Sequence, residues 1–304
     1  MKTRDAAFSI GPAKFRNRVF LASGPAGYGT EYEGLIDLRR LGAVVTKTIT
    51  FHPRAGNPGR RLWETEAGLL NSIGLENVGA ERFFAERLPR LVDAGARPVV
   101  SLGAEDWNEY RSLLDASAAA GVVDAVELNL SCPNVDRGGM SIGGDPALVA
   151  KYVRAAREAL PDAAIIAKLT PNTGDITVLA RAAAEGGAHA VTAINTLLGM
   201  DLCGAGQEPV FRRVRAGLSG PAIFPVALDA VWRIVRAVDI PVVASGGVSS
   251  VLDARKFLAA GAAAVEIGTA IFYDSALPER IVEALEEECG GSPPKTKPRK
   301  GRKR

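Results

Sequence analysis

Eight short apolar runs rich in Val, Ile and Ala alternate with longer Ala- and Leu-rich amphipathic stretches along the 304 residues, a pattern that predicts an α/β fold, the (β/α)8 TIM barrel. Two further observations support this reading. The short runs have strand length and the long ones helix length. The helical stretches also stop at small-residue signals, Ala94-Gly-Ala96, Gly186-Gly-Ala188 and Ala260-Gly-Ala262, where glycine can supply a left-handed C-cap. A doubly wound open sheet is the alternative, and it accommodates eight alternations less well.

Taken in order, the chain first offers Phe8–Ile10 and Ala13–Phe15 around Gly11-Pro12, an expected hairpin over the barrel floor. Strands are expected at 18–23, 43–47, 98–102, 125–129, 163–169, 190–195, 241–245 and 263–268. The intervening helices are expected at 33–41, 80–94, 106–119, 146–160, 176–185, 225–238 and 252–259, with a last one at 278–288. Two connections, 48–79 after strand 2 and 196–224 after strand 6, are much longer than their neighbours. Such insertions after a strand lie at the catalytic face, as lids or partner surfaces. The expected organisation is one barrel domain over 1–289 and a basic, disordered tail over 290–304.

Composition narrows the function classes. With 47% hydrophobic and 23% charged residues, the chain can build a core and is not globally disordered. No apolar stretch reaches the roughly 18 residues of a membrane span, and the charged first twenty residues lack a signal-peptide core. A cytoplasmic location is expected. The net charge of +3 belongs to the tail, whose seven Lys or Arg face no acid; without it 30 basic residues stand against 34 acidic ones, about −4. A solvated Pro- and Gly-rich tail explains this without nucleic acid. Cys132, Cys203 and Cys289 form no Cys-x-x-Cys pair, and His52 and His189 are the only histidines. A disulfide framework, a four-cysteine cluster or a His-rich metal site is therefore not expected.

Polar or glycine residues stand where the apolar runs finish: Ser23-Gly24, Lys47, Asn129, Lys168, Asn195, Ser245-Gly-Gly247 and Gly268-Thr269. In a barrel these ends converge on one mouth. Lysines and asparagines there are costly to bury unless they bind something. Gly246-Gly247 after strand 7 and Gly268-Thr269 after strand 8 stand where barrels frequently hold phosphate, so a phosphorylated cofactor or substrate is expected. After strand 4 comes Glu127-Leu-Asn-Leu-Ser-Cys-Pro-Asn134. Its Cys is either a buried thiol or, given the loop-forming Pro133 and Asn134, a group at the catalytic face.

These residues resemble the class 1 dihydroorotate dehydrogenases, and most closely the class 1B catalytic subunit. The resemblance rests on Leu21-Ala-Ser-Gly24, Val45-Thr-Lys-Thr48, Leu70-Asn-Ser-Ile-Gly-Leu75, Asn129-Leu-Ser-Cys-Pro-Asn134, Lys168-Leu-Thr-Pro-Asn172, Ile194-Asn-Thr196, Gly217-Leu-Ser-Gly-Pro221, Gly246-Gly-Val248 and Ile267-Gly-Thr-Ala270. They span about residues 8–288 in the family's order. The resemblance implies FMN bound by Ala22, Ser23, Lys47, Thr48, Asn129, Lys168, Ile194, Gly220, Gly246, Gly247, Gly268 and Thr269, with Lys168 near the flavin N1–C2=O end. It implies dihydroorotate held by Lys47, Asn71, Ser72, Ile73, Gly74, Leu75, Asn129, Asn134, Asn195 and Thr196. Cys132 is implied as the base that takes the C5 proton while hydride passes to the flavin. De novo pyrimidine (UMP) biosynthesis is the implied setting. A homodimer core is implied too, extended to a heterotetramer by a subunit carrying FAD and a 2Fe–2S cluster that passes electrons to NAD+.

The residue types suit that chemistry. An amide can pair with both N–H and C=O of a planar pyrimidine, and a Lys supplies a point charge for a carboxylate. A free Cys is only a few per cent thiolate near neutrality, so neighbouring donors matter. Pro25-Ala26 and the basic tail depart from the family pattern. Three rival readings exist. A dihydropyrimidine dehydrogenase-like FMN enzyme shares the Cys loop; a Schiff-base aldolase would use Lys47 or Lys168; an RNA-acting flavin barrel would need a broader basic surface.

Overall fold

The computed structural model describes residues 7–121, 123–130, 142–204 and 208–290. The hairpin is formed by β1 (Phe8–Ile10) and β2 (Ala13–Phe15), paired antiparallel. Eight parallel strands then close on themselves in chain order: β3 (Val19–Leu21), β4 (Ala43–Val45), β7 (Pro98–Leu102), β8 (Ala125–Asn129), β9 (Ala164–Lys168), β10 (Ala190–Ala193), β15 (Val242–Ser245) and β16 (Ala264–Ile267). The expected strands are all present, shortened by one or two residues at some ends.

Period-two alternation divides each strand between two cores. Val126, Leu128, Ile165, Ala167, Val191, Val265 and Ile267 face the surrounding helices. Their neighbours Ala125, Ala164, Ile166, Ala190, Val243 and Ala264 fill the lower barrel interior. Ile10, Ala13 and Phe15 of the hairpin join this inner cluster and are at most 1% exposed. The Phe15 ring lies 4.9 Å from that of Phe20 and 5.5 Å from that of Phe8. The floor is thus plugged by side chains and closed to solvent.

Several helices start at side-chain caps, as short polar residues before apolar periodicity dictate. Asp106 accepts from the Glu109 N–H ahead of Trp107–Ala120, Asp145 from Ala147 and Leu148 ahead of Pro146–Ala159, and Ser250 from Asp253 ahead of Val251–Ala259. The helix expected at 80–94 runs through Ala80–Arg82, a π-turn at Phe83–Arg87, and Leu88–Asp93. One expectation fails. Residues 33–41 form no α-helix: the chain makes only two 3-10 turns, Thr30–Tyr32 and Leu38–Arg40. Gly34 sits at φ 80°, which interrupts a right-handed helical path, and Asp37 caps the second turn by accepting from the Arg39 N–H.

The two long insertions are not independent lids. β5 (Leu62–Thr65) and β6 (Gly68–Asn71) from the first join β11 (Leu197–Gly199) and β14 (Ala216–Ser219) from the second in one antiparallel sheet, ordered β11-β14-β6-β5. The central pairing sets Gly217 opposite Asn71 and Ser219 opposite Leu69. A small ribbon, β12 (Leu202–Cys203) with β13 (Glu208–Pro209), extends the second insertion. Among the described residues no helix is long and apolar enough to cross a membrane. The tail beyond residue 290 lies outside the described residues.

Candidate active site

The barrel mouth opens, beneath the four-stranded sheet, into a cavity of about 1420 Å³ counted out to its rim. Of the predicted residues, Ala22, Ser23, Lys47, Thr48, Asn129, Lys168, Ile194, Gly220, Gly246, Gly247, Gly268 and Thr269 all line it. So do Asn71, Ile73, Leu75, Asn195 and Thr196. Ser72 and Gly74 are not lining residues. Ser72 is buried and accepts from Asn57 Nδ2 at 3.0 Å, while Gly74 makes the turn at φ 73°. They shape the loop that carries Ile73 and Leu75 into the cavity. Cys132 and Asn134 lie outside the described residues. Cys203 is half-buried with Leu70 and Phe211 on the other face of the insertion sheet from the cavity, which Leu69 and Asn71 line.

One end of the cavity is built from glycine backbone. Gly220, Gly246 and Gly247 hold φ of 97°, 123° and 77°, a region that disfavours side chains. A Cβ on Gly247 would come within 2.7 Å of Phe224, and one on Gly246 within 2.9 Å of Ala227 Cβ. Phe224 opens the helix Phe224–Val235, so this cradle adjoins a helix N-terminus, where anions are favoured. Thr269 Oγ1 donates to Ser219 Oγ at 2.8 Å, tying the end of β16 to the insertion sheet. This end fits a phosphate group.

The other end is a web of hydroxyls and amides. Thr48 Oγ1 accepts from Asn129 Nδ2 at 3.0 Å and lies 2.9 Å from Ser101 Oγ and 3.4 Å from Ser23 Oγ. Asn195 Nδ2 donates to Asn129 Oδ1 at 3.3 Å, and the Thr196 N–H donates to Asn195 Oδ1 at 2.8 Å. Asn71 Nδ2 donates to the Gly217 carbonyl at 3.0 Å across the β6–β14 pairing. Lys47 Nζ donates to Glu76 Oε2 at 3.4 Å, and Arg61 reaches the same carboxylate at 3.0 Å. Partial burial works against ionisation of Glu76, but Lys47 and Arg61 outweigh it and hold the carboxyl below its ordinary range.

Beneath these groups lies a cluster the sequence reading missed. Lys168 Nζ donates to Glu266 Oε2 at 3.0 Å and to Glu127 Oε1 at 3.3 Å, while Thr192 Oγ1 donates to Glu127 Oε2 at 2.9 Å. Burial weakens the Lys168 ammonium's hold on its proton, yet Glu127 and Glu266 outweigh this and hold it above the usual lysine range. Burial, then the neighbouring Glu127, pushes Glu266 up to about 8, with Lys168 pulling the other way. The signal available was phase. Glu127 is two residues before Asn129 and Glu266 two before Gly268, so each shares the inward face of its strand with a mouth residue.

Fold and site together define a barrel enzyme whose mouth suits a phosphorylated group at one end and a flat, amide-rich ligand at the other. The chain belongs to the dihydroorotate dehydrogenase family, whose model, described as Dihydroorotate dehydrogenase, it matches over residues 6–289. It is an oxidoreductase that acts on dihydroorotate. Proteins described as dihydroorotate dehydrogenase B (NAD(+)), catalytic subunit, are similar along nearly their whole length. That of Trichlorobacter lovleyi is 44% identical over 278 residues, covering 91% of each chain. That of Pelobacter propionicus is 42% identical over 282 residues, covering 93% of this chain and 92% of its own. That of Solidesulfovibrio magneticus is 45% identical over 270 residues, covering 89% and 88%.

Proposed function

We propose that this chain is the FMN-binding catalytic subunit of a class 1B dihydroorotate dehydrogenase, handing electrons to NAD+ through a partner subunit that carries FAD and a 2Fe–2S cluster. The observation that carries the reading is the two-ended cavity. Glycines 220, 246 and 247 offer backbone to a phosphate, while Lys47, Asn71, Asn129 and Asn195 offer side chains to a flat polar ring. Gly247 packs so closely on Phe224 that a Cβ would come within 2.7 Å of it, so this turn keeps bare glycine backbone at the mouth, and the residues present fit a ribityl phosphate. FMN, when bound, supplies the two-electron acceptor.

The chain's own groups do the rest. Asn71 and Asn195 pair with the ring's N–H and C=O groups, and each is pre-oriented by a backbone partner, Gly217 O or Thr196 N–H. Lys47 meets the substrate carboxylate as a point charge, releasing Glu76 to Arg61. Cys132 takes the C5 proton. The insertion sheet excludes water from the mouth. We further propose a homodimeric core completed to a heterotetramer by the partner, a soluble cytoplasmic location, a domain boundary near 289, and a tail without a catalytic role. The relatives' description as catalytic subunits that use NAD(+) supports the partner.

The test is purification followed by a visible spectrum and turnover on dihydroorotate against dihydrouracil, with NAD+ plus partner, fumarate and quinone compared as acceptors. A yellow protein selective for dihydroorotate that needs the partner to reduce NAD+ is expected. A colourless protein, or preference for dihydrouracil, refutes the reading.

A further inference from the structure

Among the described residues, Glu127, Lys168 and Glu266 are the buried charged side chains, at 0%, 6% and 1% exposure. They come from three strands, β8, β9 and β16, and meet inside the barrel above the hairpin-plugged floor and below the cavity, which Lys168 lines. Two carboxyls share one ammonium, at 3.3 and 3.0 Å. Two carboxyls converging on one ammonium leave one negative charge uncompensated, and because a carboxylate only accepts, a proton held between them is what would compensate it. Among the described residues no other titratable group faces the cluster from the flanking strands. Phe20 and Ser245 stand in register beside Glu266, Ser101 and Ile166 beside Glu127, and the hydroxyl of Thr192 donates to Glu127. Lys47, the other cation lining the cavity, is engaged by Glu76.

The count of charges then decides the state. With both carboxyls ionised the cluster carries −1 in a dry interior, an arrangement that is strongly disfavoured. With one proton retained it is neutral. We propose that Glu127 and Glu266 share one proton at neutral pH and act as positioning residues that set, through Lys168, the charge the barrel presents to the cofactor above. This rests on the flavin reading only for its second half; the shared proton is a property of the chain alone. Negative charge arriving in the cavity makes the shared proton harder to remove, so electron uptake by the bound cofactor draws the proton in more tightly. In the pH window between the two affinities, the midpoint potential falls more steeply with pH than it otherwise would. The push of Glu266 to about 8 places that window just above neutrality.

Two measurements on the purified, flavin-loaded protein test this. Infrared difference spectra between about pH 7 and about pH 10 should show loss of one protonated-carboxyl C=O band, absent in Glu266→Gln, where the amide keeps the shape but cannot titrate. A parent protein without such a band, or one whose band persists in both Glu266→Gln and Glu127→Gln, overturns the shared proton. Potentiometric titration across the same range should show the steep segment in the parent and its loss in Glu266→Gln. Superimposable profiles overturn the link to the cofactor. Should the protein hold no flavin, the infrared result still stands or falls by itself, which separates this inference from the flavin reading.

Discussion

Asn195 donates its side-chain amide to the carbonyl oxygen of Asn129 at 3.3 Å, joining the ends of β10 and β8 across the intervening strand β9. Both side chains line the cavity, and an amide offers several donor and acceptor sites. Asn195→Ala removes one ligand contact and loosens the Asn129 rotamer. A neutral hydrogen bond contributes about 1 kcal/mol, so kcat/KM for dihydroorotate should fall by about fivefold. Steady-state kinetics with flavin content held equal checks this.

Cys132→Ser should retain the yellow colour and slow flavin reduction by dihydroorotate by about 10²–10⁴-fold, the usual contribution of a positioned base. Stopped-flow absorbance reads it directly. The parent rate should also climb with pH as the thiol ionises, and the Cys132→Ser variant should lose that dependence.

Gly247→Ala places a methyl group at φ 77° and within 2.7 Å of Phe224. Backbone strain of about 1–3 kcal/mol would be added to the clash with Phe224, which displaces the turn that forms the cradle. The expected result is a folded protein with a lowered flavin-to-protein ratio, measured from the absorbance ratio after gel filtration.

Stability should respond to pH through Glu266. Its carboxyl is held up to about 8 in the fold against about 4.3 in an unfolded chain. Between those values the folded state binds the extra proton, so stability is full at the low end and is lost as pH rises through the folded value. Lys168 is held up as well, and its contribution is fully present below the ordinary lysine range. Thermal unfolding should therefore show the parent losing Tm from about pH 4 toward about pH 8 and levelling off above it, with Glu266→Gln flatter over the same span.

Phe15→Ala should cost about 3–5 kcal/mol. The ring is 1% exposed and packs against Phe20 and Phe8 on the barrel floor. Denaturant titration checks it, and active-site chemistry at the opposite end should be unaffected in the folded fraction.

The barrel was legible because its strands are short, β-branched and separated by glycine stops, and because mouth residues such as Lys47 and Asn129 interrupt apolar runs. The failed helix at 33–41 shows the limit: Leu38 and Leu41 are buried three residues apart, as on one helix face, but Gly34 at φ 80° bends the chain away. Glu127 and Glu266 escaped notice because each sits within an apolar run, where only strand phase reveals that it faces inward. The pairing of the insertions was equally hidden. Leu69 and Ser219 lie 150 residues apart, and no local pattern records so distant a partnership.

That partnership has an architectural result. Because β6 and β14 form one ladder, the second and sixth excursions of the barrel are yoked, and neither can be lengthened or re-registered while its mate stays fixed. A graft of one excursion from a relative would leave mismatched edges over the mouth. Exchange of both as a cassette would transplant an intact roof, and with it the asparagine at 71 and the glycine at 217 that meet beneath its ridge.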